Sequence, residues 1–401
     1  MTGRIIIVRH GRFIVTVFHD GKRIADMDVE DTGNSSDVGS IYVGQVIDIV
    51  KNINAAFIEY KPGVKGYYSI AENHAPFFLN KKNSEKICQG DRLIVRLSKD
   101  AVKTKDPVLS SKLEIPGKYA VLTTWDTRIS FSGKFNDAVK KRSITEALKS
   151  EAYEDAGFII RTNAIDADIK QITDEAKELY SQYERIINTA GYRVSGTKLY
   201  GIPEGYVVFV RDMYKDMAQE IVTDDDEIYN RLTGEFPDKN IRKFQDEMLP
   251  LKKLYNIESV IEGLLKKKVW LKSGAYLVIE PTEALTVIDV NTGKCIKGRS
   301  SDEVFYKVNK EAAWEIARQI RLRNISGIII IDFINMSDKK FGSMLLKELK
   351  SAVSSEHIKT TVVDMTKLGL VEITRKKVKP PLHEVMLSYG MDRGNYEESI
   401  I

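Results

Sequence analysis

The sequence predicts an α+β chain of several domains. Two stretches point there. Leu271 to Met336 reads as strand, turn, long charged helix and returning strand, and Gly39 to Leu97 reads as a series of short alternating strands. With 401 residues, 43% of them apolar, the chain is long enough for two to four domains with ordinary cores.

Arg12 to Phe18 and Arg23 to Val29 flank His19-Asp20-Gly21, a tight-turn signal, so the chain opens with a hairpin after a strand-like IIIV run. Asp31 to Asp37 is a linker by composition. From Gly39 follow IYVGQVIDIV, AAFIEY, GYYSI and DRLIVRL, punctuated by Gly44, Gly63 and Gly66. Such strands suit a small barrel of the OB type. Phe57 and Tyr67 stand where a barrel could show rings for base stacking, with Lys65, Lys99, Lys103 and Lys105 nearby for phosphate. Phe57 as a core residue is the equal alternative.

A third unit starts near Pro116. Tyr119 to Thr123 is a strand, FSGKF a turn, Asp137 to Ala152 a helix and GFIIRT a strand, followed by a helix over about 166–190. Arg161 and Thr162 end their apolar strand. A guanidinium and a hydroxyl there could grip a phosphate; an Arg closing a sheet edge is the plainer reading. After Glu204, GYVVFV reads as a strand. Asp224 to Asp226 reads as a solvated helix start.

The strongest signal lies in Leu271–Met336. Val287-Ile288 run into Asp289, and Ile328 to Ile331 run into Asp332. Burying a carboxylate is costly unless it is paired or binds a cation. Between the two Asp residues there is room for a turn and a helix of about six turns. Ser301 to Arg323 fits it: Ser301 as cap, Asp302 and Glu303 in the first turn, and Arg318, Arg321 and Arg323 near the end. Were the strands neighbours, both carboxylates would emerge at one edge. At roughly 4 Å and an effective dielectric near 20 they would repel by about 4 kcal/mol. Hard oxygen donors without nearby His or Cys favour Mg²⁺ or Mn²⁺. Asn291, two residues after Asp289, points to the same side and could orient a carboxylate. Two turn or cap Asp residues at strand ends remain an alternative of equal weight.

A formal charge of +4 permits nucleic-acid binding without requiring it. Basic clusters occur at Lys81-Lys82, Lys140 to Arg142, Lys266 to Lys268 and Arg375 to Lys377. There is no run of about eighteen apolar residues and no signal-peptide layout, and two lone cysteines, Cys88 and Cys295, suggest a reducing cytoplasm. No P-loop, GxGxxG or Ser/His/Asp series is present.

In their order along the chain, GSIYVGQVIDIVKNINAAFIEY, GFIIRT, TEALTVIDVNTGK, NKEAAWEIARQIRLRNISGIIIIDFINM and KLGLVEITRKKVKP resemble the catalytic region of the ribonuclease E/G family, metal-dependent bacterial endoribonucleases. The resemblance covers nearly the whole chain. It implies a discontinuous RNase H-like subdomain (1–34 and 205–270), an inserted S1-type OB-fold barrel (35–111), a 5′-monophosphate sensor (112–204), a DNase I-like α/β catalytic subdomain (271–380) and a tail (381–401). By the same resemblance Asp289 and Asp332 are the metal ligands and Asn291 supports them. Gly117, Val121, Arg161 and Thr162 bind a 5′-phosphate. Phe57, Tyr67 and Lys105 contact RNA, with Tyr where Phe is more usual.

The implied activity is Mg²⁺-dependent cleavage of single-stranded, A/U-rich RNA to 5′-phosphate and 3′-hydroxyl ends, in rRNA processing and mRNA decay. The family's zinc-sharing C-x-x-C has no counterpart after Arg375. The expectation is therefore no structural zinc, a monomer or a dimer joined otherwise, and no degradosome scaffold arm in this chain. A non-catalytic RNA-binding or ribosome-associated factor on the same scaffold is the competing expectation. A nuclease acting on DNA is a third.

Overall fold

The computed structural model describes residues 3–33, 37–73, 75–81, 86–101, 105–151, 153, 155–212, 218–246, 248–293, 302–354 and 356–387. Part of the expected linker, Lys82, Lys103, Ala152, Cys295, Ser301 and the tail beyond Leu387 lie outside them. The chain divides into two compact units, Ser35–Glu204 and a discontinuous one of Met1–Asn34 with Gly205–Ile401.

The discontinuous unit contains two sheets. The first has five strands in the order Ile241–Lys243, Ala218–Thr223, Gly3–His10, Phe13–His19 and Ile24–Asp31. The expected hairpin is present, its turn held by the Asp20 carboxylate accepting from the Lys22 and Arg23 amides. Both faces of this sheet are covered. Ile6, Val8, Val15 and Val17 pack with the Ile257–Leu265 helix, and Ile5, Ile7, Ile14 and Phe18 pack on the other side. Burial on both faces explains why the strands read as unbroken apolar runs.

The expected strand at GYVVFV is a helix, Gly205–Asp212. Tyr206, Val207, Phe209 and Val210 are buried, a spacing that puts them on one helical face against the sheet. The Glu30 carboxylate accepts the Gly205 N–H at its first turn. Tertiary burial here outweighs the β-preference of Val and Phe. Asp225 behaves as expected, capping the Asp226–Glu235 helix through the Ile228 amide.

The second sheet has six strands in the order Lys268–Trp270, Tyr276–Pro281, Leu285–Asn291, Gly327–Asp332, Val371–Arg375 and Thr360–Met365. Helices Asp302–Leu322 and Lys339–Ser354 cover one face, burying Leu277, Ile279, Ile288, Val290, Ile329 and Ile331. The long helix buries Val308, Ala312, Ala313, Ile316, Ala317 and Ile320, a 3.6-residue stripe. It ends at Asn324, which takes the left-handed conformation (φ 48°) common after a helix. The alternate residues of these strands point to the opposite face, which is at least partly open: Trp270, Val287 and Ile328 are exposed there.

In the Ser35–Glu204 unit, five strands close a barrel: Ile41–Val50, Ala55–Lys61, Val64–Ser69, Val108–Ser110 and Arg92–Lys99, the last pairing back to the first. This is an OB-like barrel. Gly44 lies where the first strand passes from one partner to the other; a Cβ there would meet Ile58 at 2.5 Å. A four-stranded sheet follows, ordered Glu114–Pro116, Ala120–Thr123, Gly157–Ile160 and Ile129–Phe131, with helices Ala138–Lys149 and Ile169–Ala190 sharing its core. Asp137 caps the first of these helices and Asp168 forms a capping box on the second. Among the described residues, no helix is long and apolar enough to cross a membrane.

Asp37 ties the barrel strand ending at Lys61 to Lys198, with the Lys198 Nζ at 2.6 Å. Burial raises the Asp37 pKa, but hydrogen bonds from Lys198 and Lys61 more than offset that and bring it to about 2. A depressed carboxylate stabilises the fold fully above its unfolded pKa of about 3.9, and the contribution disappears as pH falls through the folded value. Urea unfolding at pH 7, 4 and 2 should therefore show Asp37→Asn destabilised at pH 7 and 4. Its deficit relative to wild type should shrink towards pH 2.

Candidate functional site

Asp289 and Asp332 are register neighbours on adjacent parallel strands. Residues directly opposite in a ladder project to the same face, and neighbouring strands lie about 4.8 Å apart. Neither Asp caps a helix. Asp289 lies inside its strand and Asp332 ends its own, on the face opposite the helices. Asp289 is half-buried and Asp332 exposed. The Asn291 side-chain amide donates to Asp289 Oδ2. That bond turns the Asp289 carboxylate and leaves its other oxygen for a further partner.

The long helix steadies both strand ends. Asn309 is fully buried; its Nδ2 donates to the Ile334 carbonyl (2.8 Å) and its Oδ1 accepts from the Ile334 amide (3.0 Å). This clamps the chain two residues past Asp332. Glu311, two residues further along the helix, accepts from the Lys272 and Ser273 amides at 2.7 and 3.3 Å. The turn so held supports Gly293, whose Cβ position lies 2.3 Å from the Gly274 carbonyl oxygen, so only glycine lets the strand after Asn291 pass. Asn309 and Glu311 were not singled out from the sequence. A buried Asn on an otherwise apolar stripe was the available signal for the first.

Two carboxylates and an amide present only hard oxygen donors suited to Mg²⁺ or Mn²⁺. Among the described residues no group of three or more His, Cys, Asp and Glu could form a full protein cage. A cation here would complete its shell with water or a substrate oxygen, which is the habit of Mg²⁺.

In the other unit, the four phosphate-site candidates gather around one turn. Arg161 donates from Nη1 to the Gly117 carbonyl at 2.6 Å, and its amide donates to the Tyr119 carbonyl. Arg161 thus ties the end of the Gly157–Ile160 strand to the turn at Gly117. Thr162 Oγ1 lies 3.0 Å from Ser132 Oγ. Val121 is on the Ala120–Thr123 strand, opposite Ile159. Glu175, unremarked in the sequence, accepts from three successive amides, Lys118, Tyr119 and Ala120, at 2.7–2.9 Å. A Cβ on Gly117 would lie 2.5 Å from that carboxylate, so the turn is wrapped tightly around it.

On the barrel, Phe57 and Tyr67 are cross-strand partners with ring centroids 6.3 Å apart. Both are half-buried and alternate with the buried Ala56, Ile58 and Tyr68, so Phe57 is not a core residue. Lys65 Nζ sits 4.9 Å from the Phe57 ring. Lys105 is exposed two residues before Pro107, whose carbonyl accepts the Tyr67 amide.

An OB-like barrel in one unit and a sheet with a paired-carboxylate face in the other define a multidomain α+β protein with a candidate metal centre. The model of the ribonuclease E/G family matches residues 114–378. The chain is similar to ribonuclease G of Haemophilus influenzae (28% identity over 379 residues, covering 90% of this chain and 77% of that protein). It is also similar to ribonuclease G of Escherichia coli K12 (29% over 383 residues, 92% and 78%). Ribonuclease E of Synechocystis is 32% identical over 366 residues, 88% of this chain, which spans about half, 54%, of that protein. The chain belongs to the ribonuclease E/G family.

Asn309→Leu should cost on the order of 2–3 kcal/mol, because it leaves two backbone groups of Ile334 without partners. Faster hydrogen exchange at the Ile334 amide is the accompanying signature. Glu175→Ala removes one acceptor from three amides and should cost on the order of 2 kcal/mol, with Glu175→Gln intermediate, in thermal unfolding.

Proposed function

We propose that this chain is a metal-dependent endoribonuclease acting on single-stranded RNA. The observation that carries the reading is the parallel register of Asp289 and Asp332. On this reading the six-stranded sheet is a DNase I-like catalytic subdomain, the five-stranded sheet an RNase H-like one, and the barrel an S1-type RNA-binding domain. The relatives named as ribonucleases support it.

Asp289 and Asp332 would hold Mg²⁺, with Mn²⁺ as a substitute. When bound, such a cation neutralises phosphate charge and makes a coordinated water more acidic. Asn291 keeps Asp289 in one rotamer, so the carboxylate need not reorganise as charge develops. Asn309 and Glu311 hold the two strand ends. Water attacking phosphorus with the 3′ oxygen as leaving group gives 5′-phosphate and 3′-hydroxyl ends.

Phe57 and Tyr67 present ring surface that suits unstacked bases, with Lys105 for the backbone. Arg161 and Thr162, with Gly117 and Val121, form a compact site for a terminal monophosphate. A/U-rich substrates, cytoplasmic location and a part in RNA processing and decay complete the reading.

A 5′-monophosphorylated, A/U-rich single-stranded RNA incubated with Mg²⁺ should be cut internally. Asp289→Asn and Asp332→Asn should each lower kcat by about 100-fold or more, since each removes part of a term worth several kcal/mol. Wild type that binds this RNA and leaves it intact in both Mg²⁺ and Mn²⁺ would instead be an RNA-binding factor.

A further inference from the structure

The face of the six-stranded sheet that carries the carboxylates also carries an aromatic and basic cluster that the proposed reaction does not use. Cross-strand register places it. Asn291 lies opposite Tyr276, and Tyr276 lies opposite Trp270 on the edge strand. One row along, Asp332 is opposite Asp289, Asp289 opposite Val278, and Val278 opposite Lys268. Residues opposite one another share a face, as do residues two apart on one strand. Trp270, Tyr276 and Lys268 therefore project on the same side as Asp289, Asn291 and Asp332, with Trp270 and Lys268 two strands from the Asp289 strand, or roughly 10 Å, and Tyr276 on the strand between.

The cluster is built and accessible. The Trp270 and Tyr276 rings pack at 5.1 Å, and Lys268 Nζ lies 4.4 Å from the first centroid and 3.8 Å from the second. Trp270 is nevertheless 60% exposed. It is the most exposed of the three tryptophans, Trp125 and Trp314 being 41% and 43% exposed. Lys268 continues a basic run with Lys266. An exposed ring beside an ammonium complements a base with its phosphate.

We propose that Trp270, seconded by Tyr276 and Lys268, is a stacking platform for a base of single-stranded RNA lying across this sheet face towards the carboxylate pair. The inference rests on the reading of the chain as RNA-directed, and it adds a specificity element outside the barrel. The Trp270 row ends at Asn291, next to the row of Asp289 and Asp332, so a strand crossing from Trp270 reaches the carboxylates after a fixed span and the base on Trp270 fixes which phosphodiester arrives there. Stacking tolerates any base. The platform therefore sets register along the strand more than sequence.

The test measures binding and cleavage separately on one short single-stranded RNA. Trp270→Ala should raise Kd, and KM if the RNA is cut, by roughly 5- to 150-fold, the range for loss of one stacked base, with kcat little changed. Trp270→Phe should restore most of the affinity. Abasic substitution at one position of the RNA should weaken wild type and add nothing in Trp270→Ala. Kd unchanged in Trp270→Ala, or equal losses in Trp270→Ala and Trp270→Phe, overturns the proposal. If wild type binds and never cuts while Trp270→Ala loses affinity, the platform stands and the nuclease reading fails. If wild type cuts and Trp270→Ala matches it in Kd and KM, the platform fails and the nuclease reading stands.

Discussion

Everything proposed for the discontinuous unit depends on one ladder. Asp289 and Asp332 face each other because two parallel strands pair with no offset across five residues. Parallel strands need a crossover connection, and here it includes the long helix Asp302–Leu322. The helix fixes the register because its apolar stripe must meet the buried residues of both strands, and a one-residue slip would turn Ile329 and Ile331 out of the core. A slip would also bury a carboxylate without a partner, which is more costly still. Core packing on one face thereby sets electrostatics on the other.

The same helix holds the ends of the site through polar side chains. Asn309 pairs with both backbone groups of Ile334, and Glu311 anchors the turn that Gly293 crosses. A buried, doubly paired side chain such as Asn309 specifies geometry more than it adds stability. In the other unit Glu175 acts similarly. It organises three amides and so holds the turn after Gly117 in one conformation.

Much of this was legible in advance. The Asp-terminated apolar runs, the charged helix between them and the alternating barrel strands follow from periodicity and from capping and turn residues, which act over a few positions. What failed, or was not seen, depended on distant contacts. GYVVFV has the composition of a strand, yet it forms a helix because its four large residues pack onto a sheet from a remote part of the chain. Phe57 could not be assigned to core or surface until its ladder was known, since its neighbours Ala56 and Ile58 are as apolar as it is. Glu175 was one acidic residue among many on an amphipathic helix.

The sequence by itself determined the elements that carry the candidate chemistry and the identity of the hard-oxygen donors, because local propensity and residue type need no long-range information. Only the tertiary structure decided that Asp289 and Asp332 are direct neighbours, that Asn309 and Glu175 are braces, and that Trp270 shares a face with the carboxylates. Those are properties of register and of packing between segments far apart in the chain. A strand's sequence shows which faces it has but not which strand it will lie beside.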